Sequence, residues 1–323
     1  MKVIDWRIYM KYYFAPLEGI TWYIYRNAHH LFFPGVDKYF APFIVSGMGR
    51  QFSAREENDL IQAHNQNVKL IPQVLTNRVE DFLFTLNKLQ NLGYDEVNLN
   101  FGCPSGTVVS KNRGAGFLAD PKMVDRFLDG IFSATDCKIS VNTRIGIEDP
   151  NEFYELIKVY NKYPLEELIV HPRVLRDHYK NKPDLSTYFK AADISKNSIC
   201  YNGDILNCND YANLMSMGSE TEKIMIGRGL IRNPGLVREL NGSNVITKEE
   251  LYDFHDKIFA DYKEILSGDR NALYRMKEIW AFMMDLFSEH EKYTKKIRKA
   301  QSCQEYEVAV AALFRDLELK SNR

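Results

Sequence analysis

Eight short apolar segments recur along the first three-quarters of the chain, and amphipathic stretches separate most of them. The segments cover residues 12–15, 36–40, 68–74, 96–101, 137–143, 167–171, 198–202 and 223–226. Their near-continuous apolar character is typical of parallel strands that are covered on both faces. Eight such units in about 235 residues fit a TIM barrel, which usually has about 250 residues. We therefore predict an α/β TIM barrel, and a doubly wound parallel sheet is the alternative.

The chain after residue 244 has a different pattern, with helical signals and no strand signal. Thr247 and Glu250 form a predicted capping box that begins a long helix. Helical patterns follow at 270–289 and 291–300, and Ser302 with Glu305 predicts a second capping box and a fourth helix. Four helices joined by short turns predict a small bundle. The expected domains are a barrel over residues 1–243 and a C-terminal helical bundle over residues 244–323.

Cysteine usage and hydropathy exclude several classes of protein. The 5 cysteines are scattered and form no C-x-x-C pair, so we expect no zinc site and no dithiol motif. The longest apolar run, residues 308–314, is far shorter than a membrane span. The first ten residues carry charges and no signal-peptide pattern. We expect a monomeric cytoplasmic protein without a metal site or a membrane partner.

Polar and glycine-rich positions fall where the predicted strands end, and the active site of a TIM barrel is built at the C-terminal ends of its strands. Two of these loops, Asn202-Gly203-Asp204 and Gly227-Arg228-Gly229, follow the seventh and eighth strands, where barrels often bind phosphate. A single Gly-x-Gly sequence is equally typical of a tight turn, but glycine-containing loops after two consecutive strands favour a phosphate site. Because the sequence has no Walker-type loop and no dinucleotide fingerprint, we predict a tightly held phosphorylated cofactor.

Cys103 lies between a glycine and a proline just after the fourth predicted strand. Cys137 and Cys200 lie within or at the ends of strands, where cysteine is usually a small buried apolar residue. A thiol at the rim of the barrel is instead a candidate nucleophile or proton donor.

Six sets of motifs at these strand ends are similar to those of one enzyme family. They are Ala15-Pro16-Leu17-Glu18-Gly19, Asn98-Leu99-Asn100-Phe101-Gly102-Cys103-Pro104, Lys111-Asn112-Arg113-Gly114-Ala115-Gly116, Arg144-Ile145-Gly146, His171-Pro172-Arg173, and the two loops at 202–204 and 227–229. From about residue 12 to its C-terminus, the chain resembles the bacterial type of tRNA-dihydrouridine synthase, a family of flavin enzymes. The combination of N-F-G-C-P with K-x-x-G-A-G is specific, because dihydroorotate dehydrogenases and old yellow enzymes share the flavin barrel but lack this loop.

The resemblance implies a bound FMN, NADPH as the reductant of the flavin, and conversion of uridine in tRNA to 5,6-dihydrouridine. A hydride from flavin N5 would go to uracil C6, and Cys103 would protonate C5 as the general acid. Asn100 and Arg144 would hold the uracil, and Arg173 and Tyr179 would lie near the flipped nucleotide. The implied cofactor-binding residues are Pro16, Leu17, Gln73, Asn142, His171, Asn202, Gly203, Asp204, Gly227 and Arg228.

Three positions in two segments depart from the family pattern. The strand-five motif V-K-x-R reads Val141-Asn142-Thr143-Arg144, so a neutral amide replaces the lysine expected near the N1 and O2 edge of the flavin. The segment after Tyr179 has Asn181 and Leu185 where the family has glycine and tryptophan. These changes leave a second hypothesis open, an RNA-binding barrel with weak or lost catalysis. A dihydrouridine synthase that acts on ribosomal RNA is a further alternative.

Basic residues are unevenly distributed, although the net charge is -1. Five of them lie within eight residues of the tail: Lys292, Lys295, Lys296, Arg298 and Lys299. Such a run is by itself typical of a solvated helix face. Beside an RNA-modifying barrel, we expect these residues and Lys111 of the catalytic loop to bind tRNA phosphates on a polarised surface. The bundle over residues 244–323 is the predicted RNA-binding domain.

Overall fold

The computed structural model describes residues 10–218 and 221–320, in which ten strands form one sheet. The strands are β1 (Lys11–Phe14), β2 (Lys38–Phe40), β3 (Ile44–Val45), β4 (Leu70–Ile71), β5 (Gln73–Leu75), β6 (Glu96–Phe101), β7 (Lys138–Arg144), β8 (Leu168–His171), β9 (Ile199–Tyr201) and β10 (Lys223–Ile226). Their order in the sheet is β3-β5-β6-β7-β8-β9-β10-β1-β2-β4, and the pairs between them are parallel.

Two strands of the barrel are interrupted, one between β2 and β3 and the other between β4 and β5. The halves of each strand lie at opposite ends of the strand order, and this closes the sheet. Pro72 separates β4 from β5, and residues 41–43 separate β2 from β3. The segment β2 pairs with β4, and β3 pairs with β5, so the interrupted strands lie side by side and complete a ring. Proline lacks the N–H that a continuous ladder would use, which accounts for the break at Pro72. The prediction of an α/β TIM barrel is confirmed, and each predicted apolar segment overlaps a strand.

Helices lie between the strands and after the last one. They are α1 (Tyr23–Phe32), α2 (Ala54–Leu60), α3 (Val79–Asn91), α4 (Gly106–Val109), α5 (Pro121–Phe132), α6 (Phe153–Tyr160), α7 (Leu185–Ile194), α8 (Cys208–Met217), α9 (Arg228–Arg232), α10 (Leu236–Leu240), α11 (Lys248–Ile265), α12 (Asp269–Met283), α13 (Glu291–Lys299) and α14 (Cys303–Asp316). None of the helices in these two ranges is both long enough and apolar enough to cross a membrane.

Two of the predicted helix ends differ from the structure. At the start of α11, the capping box forms as expected, with the Thr247 hydroxyl and the Glu250 carboxylate each accepting a backbone N–H of the other residue. At α14, Ser302 accepts the N–H of Glu305, but the Glu305 carboxylate accepts the N–H of Gln301 at 2.8 Å. The predicted box is therefore only half formed, because the carboxylate reaches one residue further back.

The second predicted tail helix ends early, at Met283 rather than at residue 289. A short 3-10 turn, Met284–Leu286, follows it, and Phe287 then becomes extended and forms an antiparallel bridge with Leu319. The tail thus contains one isolated β-bridge that its sequence pattern does not indicate.

The core has a large apolar part between the sheet and the helices, a second and smaller apolar cluster made mostly of strand residues, and a charged part inside the barrel. Side chains between the sheet and the helices are fully buried, including Val97, Leu99, Val141 and Leu168. At the N-terminal end of the barrel, the buried Lys38 Nζ lies 2.8 Å from a Glu96 carboxylate oxygen and 3.3 Å from one of Glu167. This ion-pair cluster fills the barrel at the end opposite to the predicted site.

The C-terminal helices pack directly on the barrel. The Tyr262 ring in α11 stacks on the Trp22 ring at a centroid distance of 6.4 Å, and Arg232 of α9 forms an ion pair of 2.9 Å with Asp285, which follows α12. The division of the chain at residue 244 stays a prediction.

Candidate active site

A cavity of about 360 Å³ opens at the C-terminal ends of the strands. Its lining includes many of the residues expected from sequence: Pro16, Leu17, Gln73, Asn100, Cys103, Asn142, His171, Tyr179, Asn202, Gly203, Asp204, Gly227 and Arg228. These residues come from loops or strand ends at every part of the barrel. The parallel register brings them together because all strands point their carboxyl ends at the same edge.

A chain of side-chain hydrogen bonds crosses one wall of the cavity. Asn100 Nδ2 donates to Gln73 Oε1 at 2.7 Å, and Gln73 Nε2 donates to Asn98 Oδ1 at 2.8 Å. Asn98 Nδ2 then donates to the Ser140 hydroxyl at 2.8 Å. All four side chains are buried, so these bonds satisfy groups that would otherwise be costly to bury. The chain holds Gln73 and Asn100 in one orientation.

The loop that carries Cys103 is held by its backbone. Asn100 Oδ1 accepts the Cys103 N–H at 2.9 Å, and Ala115 N–H donates to the Cys103 carbonyl at 3.0 Å. Gly114 lies behind this carbonyl with φ of 56°, and a Cβ there would lie 2.7 Å from the Cys103 oxygen. Only glycine fits this position, because a side chain would collide with the loop and would need a left-handed backbone.

Burial raises the pKa of the Cys103 thiol and outweighs the opposite effects of the Ser105 backbone N–H and the Arg144 charge. The thiol is therefore protonated at neutral pH, as a proton donor must be before it reacts. Cys103 is partly exposed, and it lies in the lining of the cavity.

The loops after β9 and β10 lie in close contact on another side of the cavity. A Cβ at Gly229 would lie 2.1 Å from the Ile205 carbonyl oxygen, and one at Gly203 would lie 2.0 Å from the Tyr201 hydroxyl. Neither position has room for a side chain, and Gly203 and Gly227, which are partly exposed, line the cavity with bare backbone. Arg228 begins α9, and the first N–H groups of a helix have no acceptor within it. Such a pair of loops can bind an anion.

Asp204 pairs with two arginines beside these loops. Its carboxylate forms ion pairs with Arg228 and with the buried Arg173. Burial favours protonation of Asp204, but the hydrogen bonds and charges of the two arginines outweigh it and hold the pKa of the carboxyl below its ordinary value. Two arginines and one carboxylate leave one positive charge next to these loops.

His171 is neutral and has a defined tautomer. Burial lowers its pKa well below 6.5, and the charges of Arg144 and Arg173 lower it further. Arg173 Nη1 lies 2.9 Å from His171 Nε2. Because a guanidinium only donates, Nε2 accepts and the proton lies on Nδ1. His171 therefore has an Nδ1–H group to donate.

A comparison with known families decides the class of protein. The family model for dihydrouridine synthase (Dus) matches residues 14–320. The chain belongs to the dihydrouridine synthase family. It is therefore an oxidoreductase.

Individual relatives are distant but match much of the chain. The tRNA-dihydrouridine(16) synthase of Haemophilus influenzae is 25% identical over 237 residues, which cover 72% of this chain and 72% of the relative. The tRNA-dihydrouridine(20/20a) synthase of Vibrio parahaemolyticus is 27% identical over 221 residues, 61% of this chain and 67% of the relative. Among solved structures, morphinone reductase is similar with a TM-score of 0.50 at 12% identity, covering 73% of this chain and 86% of that chain, which shows the fold alone.

In this dihydrouridine synthase, Arg144 lies behind the cavity rather than in its lining. The side chain is fully buried, and it donates to three carbonyl oxygens at 2.9 Å each, those of Gly102, Val174 and His178. Gly102 precedes Cys103, and the other two belong to the loop after β8. Arg144 thus joins two loops of the site, and its predicted contact with uracil stays a prediction.

Tyr179 lies between two cations at the cavity wall. The guanidinium carbon of Arg228 is 4.8 Å from the centre of the ring, and that of Arg144 is 5.4 Å from it. The Arg173 Nε–H donates to the Asn181 carbonyl at 2.6 Å, which holds the same loop from its other side. Arg173 is buried and does not line the cavity, so the structure brings Tyr179, but not Arg173, to its surface.

Asn142, the residue at the position of the family lysine, pairs with another amide. Its Oδ1 accepts from Asn202 Nδ2 at 3.1 Å, and its Nδ2 faces the Met225 sulfur at 3.8 Å. The cavity therefore has a neutral hydrogen-bonding pair at this point, and Asn142 and Asn202 both line it.

The basic residues predicted to bind RNA lie outside the cavity. Lys111 is exposed on the loop after α4, where Asn77 donates to its carbonyl at 3.2 Å. The tail residues belong to α13, and four of them, Lys292, Lys295, Lys296 and Lys299, line a separate groove of about 760 Å³ between α13 and α14. Arg298 is on the same helix but not in the lining of this groove.

The structure adds lining residues that the sequence analysis missed. Pro42 and Phe43 enter the cavity from the break between β2 and β3, and Ile205 and Leu206 enter after the loop at 202–204. Pro42 within an apolar stretch was the available signal for a break in the strand. Within residues 10–218 and 221–320, no group of three or more His, Cys, Asp or Glu side chains is arranged to hold a metal ion.

Proposed function

We propose that this protein is an FMN-dependent tRNA-dihydrouridine synthase that reduces uridines in tRNA, with NADPH as the source of electrons. Family membership and the names of both relatives support the reaction and the tRNA substrate. The observation that carries the proposal is the protonated thiol of Cys103 in the same cavity as the bare, positively charged loops after β9 and β10.

The residues of the cavity fit FMN in size and in charge. A volume of about 360 Å³ is typical of small-molecule sites. The bare backbone at Gly203 and Gly227, with the excess positive charge of Arg173 and Arg228 over Asp204, suits a phosphate group. We assign the flavin ring to the remaining lining residues, namely Pro16, Leu17, Gln73, Asn142 and His171.

FMN held by these residues would supply the hydride for C6 of the uracil. Cys103 supplies the matching proton to C5: its S–H bond breaks, a C–H bond forms, and the electron pair of the broken bond stays on sulfur. The Ser105 N–H and the charge of Arg144 both favour the thiolate that remains. The neutral His171, which lines the cavity, has an Nδ1–H available as a donor, and the hydrogen bonds of Gln73 and Asn100 hold the loop of Cys103.

RNA binding is assigned to the helices over residues 244–323. The lysines of α13 and Lys111 near the catalytic loop are the proposed phosphate contacts, and such contacts make affinity depend on salt. We further propose that the protein acts as a monomer in the cytoplasm. Light scattering at micromolar concentration tests the oligomeric state.

The test is reconstitution of the reaction. The purified protein should be yellow and, with NADPH, should form dihydrouridine in unmodified tRNA transcripts, detected by mass spectrometry of digested RNA. Mapping dihydrouridine in tRNA and ribosomal RNA of cells with and without the gene identifies the positions. A colourless protein that refuses added FMN contradicts the cofactor assignment. A yellow protein that binds tRNA but forms no dihydrouridine supports the alternative of lost catalysis.

A further inference from the structure

The C-terminal helix α12 contacts the loop after β1, which carries Leu17 of the cavity. Arg275 Nη1 donates to the Gly19 carbonyl at 3.1 Å, and the same nitrogen lies 3.1 Å from a carboxylate oxygen of Glu278, one turn further along the helix. The Arg275 side chain is only 21% exposed, so these contacts are partly shielded from water. A hydrogen bond from a charged donor is stronger than a neutral one.

The loop that Arg275 holds is a compact turn. The N–H groups of Ile20 and Thr21 both donate to the Leu17 carbonyl at 3.1 Å, and the Thr21 hydroxyl accepts the Leu17 N–H at 2.8 Å. Gly19 lies at the tip with φ of 85°, which only glycine adopts readily. Because the turn is closed on itself, a bond to the Gly19 carbonyl fixes the position of Leu17 as well.

Leu17 connects this turn to the side of the cavity that is proposed to bind the anion. A Cβ at Gly227 would lie 3.4 Å from Leu17 Cδ1, so the leucine side chain packs against the loop that precedes Arg228. The helix that begins at Arg228 is itself tied to the tail by the ion pair of Arg232 with Asp285 at 2.9 Å. Two of the loops that form the cavity are therefore held by α12 and the turn after it.

We propose that Arg275 is a positioning residue for the cofactor cavity, which makes the C-terminal helices part of the cofactor site as well as a surface for RNA. The proposal rests on the proposed binding of FMN in this cavity. Arg275 touches neither cofactor nor substrate, and it acts by holding the turn of residues 17–21 against the loop at Gly227. Because binding couplings are reciprocal, FMN in turn should slow the opening of this contact.

The test compares Arg275→Met with Arg275→Lys and with Arg270→Met as the control. Arg270 is an exposed residue in the first turn of the same helix, so its substitution removes the same charge. Hydrogen–deuterium exchange of the apoprotein reports on the amides of Ile20 and Thr21, and quenching of FMN fluorescence reports on FMN affinity. Far-UV circular dichroism verifies folding.

In Arg275→Met, we expect these two amides to exchange about tenfold faster and the Kd for FMN to rise about three- to tenfold, which is within the range for the loss of one ordinary hydrogen bond because the Arg275 side chain is still partly exposed to water. Arg275→Lys should restore part of both effects, and Arg270→Met should behave as the wild type. Unchanged exchange in residues 17–21, or a loss of protection spread evenly over the chain, overturns the proposal. If the wild type binds no FMN, the proposed function fails. The exchange rates of the Ile20 and Thr21 amides are measured without FMN, so equal rates in the wild type and in Arg275→Met overturn the positioning role independently.

Discussion

Replacement of Cys103 by alanine separates proton donation from every other property of the site. The loop is held by the backbone N–H and carbonyl of Cys103, through Asn100 and Ala115, and these bonds survive the change. Only the sulfur is lost from a partly exposed side chain, so we expect the free energy of unfolding to fall by about 1 kcal/mol or less. FMN binding should stay within about twofold, because the loops after β9 and β10 are untouched.

The expected effect on catalysis is much larger. A positioned general acid raises the rate of the chemical step about 10²–10⁴-fold, which corresponds to a reduction of about 3–5 kcal/mol in the activation free energy. The Ser105 N–H and Arg144, which favour the thiolate, have no anion to stabilise in the variant. We place the loss in dihydrouridine formation near the middle of this range, about 10³-fold.

The assay is single-turnover reaction of the FMN-loaded variant with an unmodified tRNA transcript, with dihydrouridine measured by mass spectrometry. Reduction of the flavin by NADPH, followed by its absorbance, is the internal control and should be unchanged. A fall of less than about threefold in dihydrouridine formation, with normal flavin reduction, would refute the assignment of Cys103 as the acid.

Four further predictions concern charge around the site. The raised pKa of Cys103 keeps the acid protonated at neutral pH, so the rate of dihydrouridine formation should fall only at alkaline pH, as the pH rises through that pKa, and Cys103→Ser should abolish this fall even if it is slower. Arg144→Met removes a charge that lowers the Cys103 pKa, so iodoacetamide labelling of Cys103 should shift to higher pH, and Arg144→Lys should restore the labelling profile. The same change leaves three carbonyls without their donor, so the free energy of unfolding should fall by about 3 kcal/mol. The pKa of Asp204 is lowered in the folded protein, so its stabilising effect is present above its ordinary pKa of 3.8 and is lost as the pH falls through the lower folded-state value. Asp204→Asn should therefore lower the free energy of unfolding at pH 7 by about 1–2 kcal/mol. Equal stability of the two proteins at pH 7 in denaturant titrations would contradict this. Lys295→Glu with Lys299→Glu should weaken tRNA binding and reduce its logarithmic salt slope by about 1–2, whereas Lys158→Glu on α6, which pairs with Glu155, should leave both unchanged in filter-binding assays.

Strand positions could be predicted because buried parallel strands are apolar on both faces, and this leaves a local signal. The segment at 96–101 is the clearest case, since the predicted bounds are those of β6. The break of the second strand at residues 41–43 was missed, and with it the entry of Pro42 and Phe43 into the cavity. Local patterns also placed the helix start at Thr247, whose hydroxyl accepts the N–H of Glu250 at 3.1 Å.

Side-chain partners could not be predicted in the same way. The sequence indicated that Arg144 and Arg173 belong near the site, but most of their donors bind carbonyls and carboxylates of residues about 8 to 42 positions away in the chain, and one donor of Arg173 binds the His171 ring. Both guanidinium groups bind carbonyls of the loop after β8 and neither lines the cavity, which no periodicity of the sequence indicates.

The sequence by itself determined the barrel, the tail of helices and the polar character of the strand ends, because periodicity, caps and glycine positions act over a few residues. Tertiary structure alone decided which charges meet. It set the protonated state of Cys103 by burial, the tautomer of His171 by the donor facing Nε2, and the contact of Arg275 with Gly19 across 256 residues of sequence. The physical reason is that burial and electrostatic interactions depend on distances in space, which are fixed only when the ring of strands closes and the C-terminal helices pack on it.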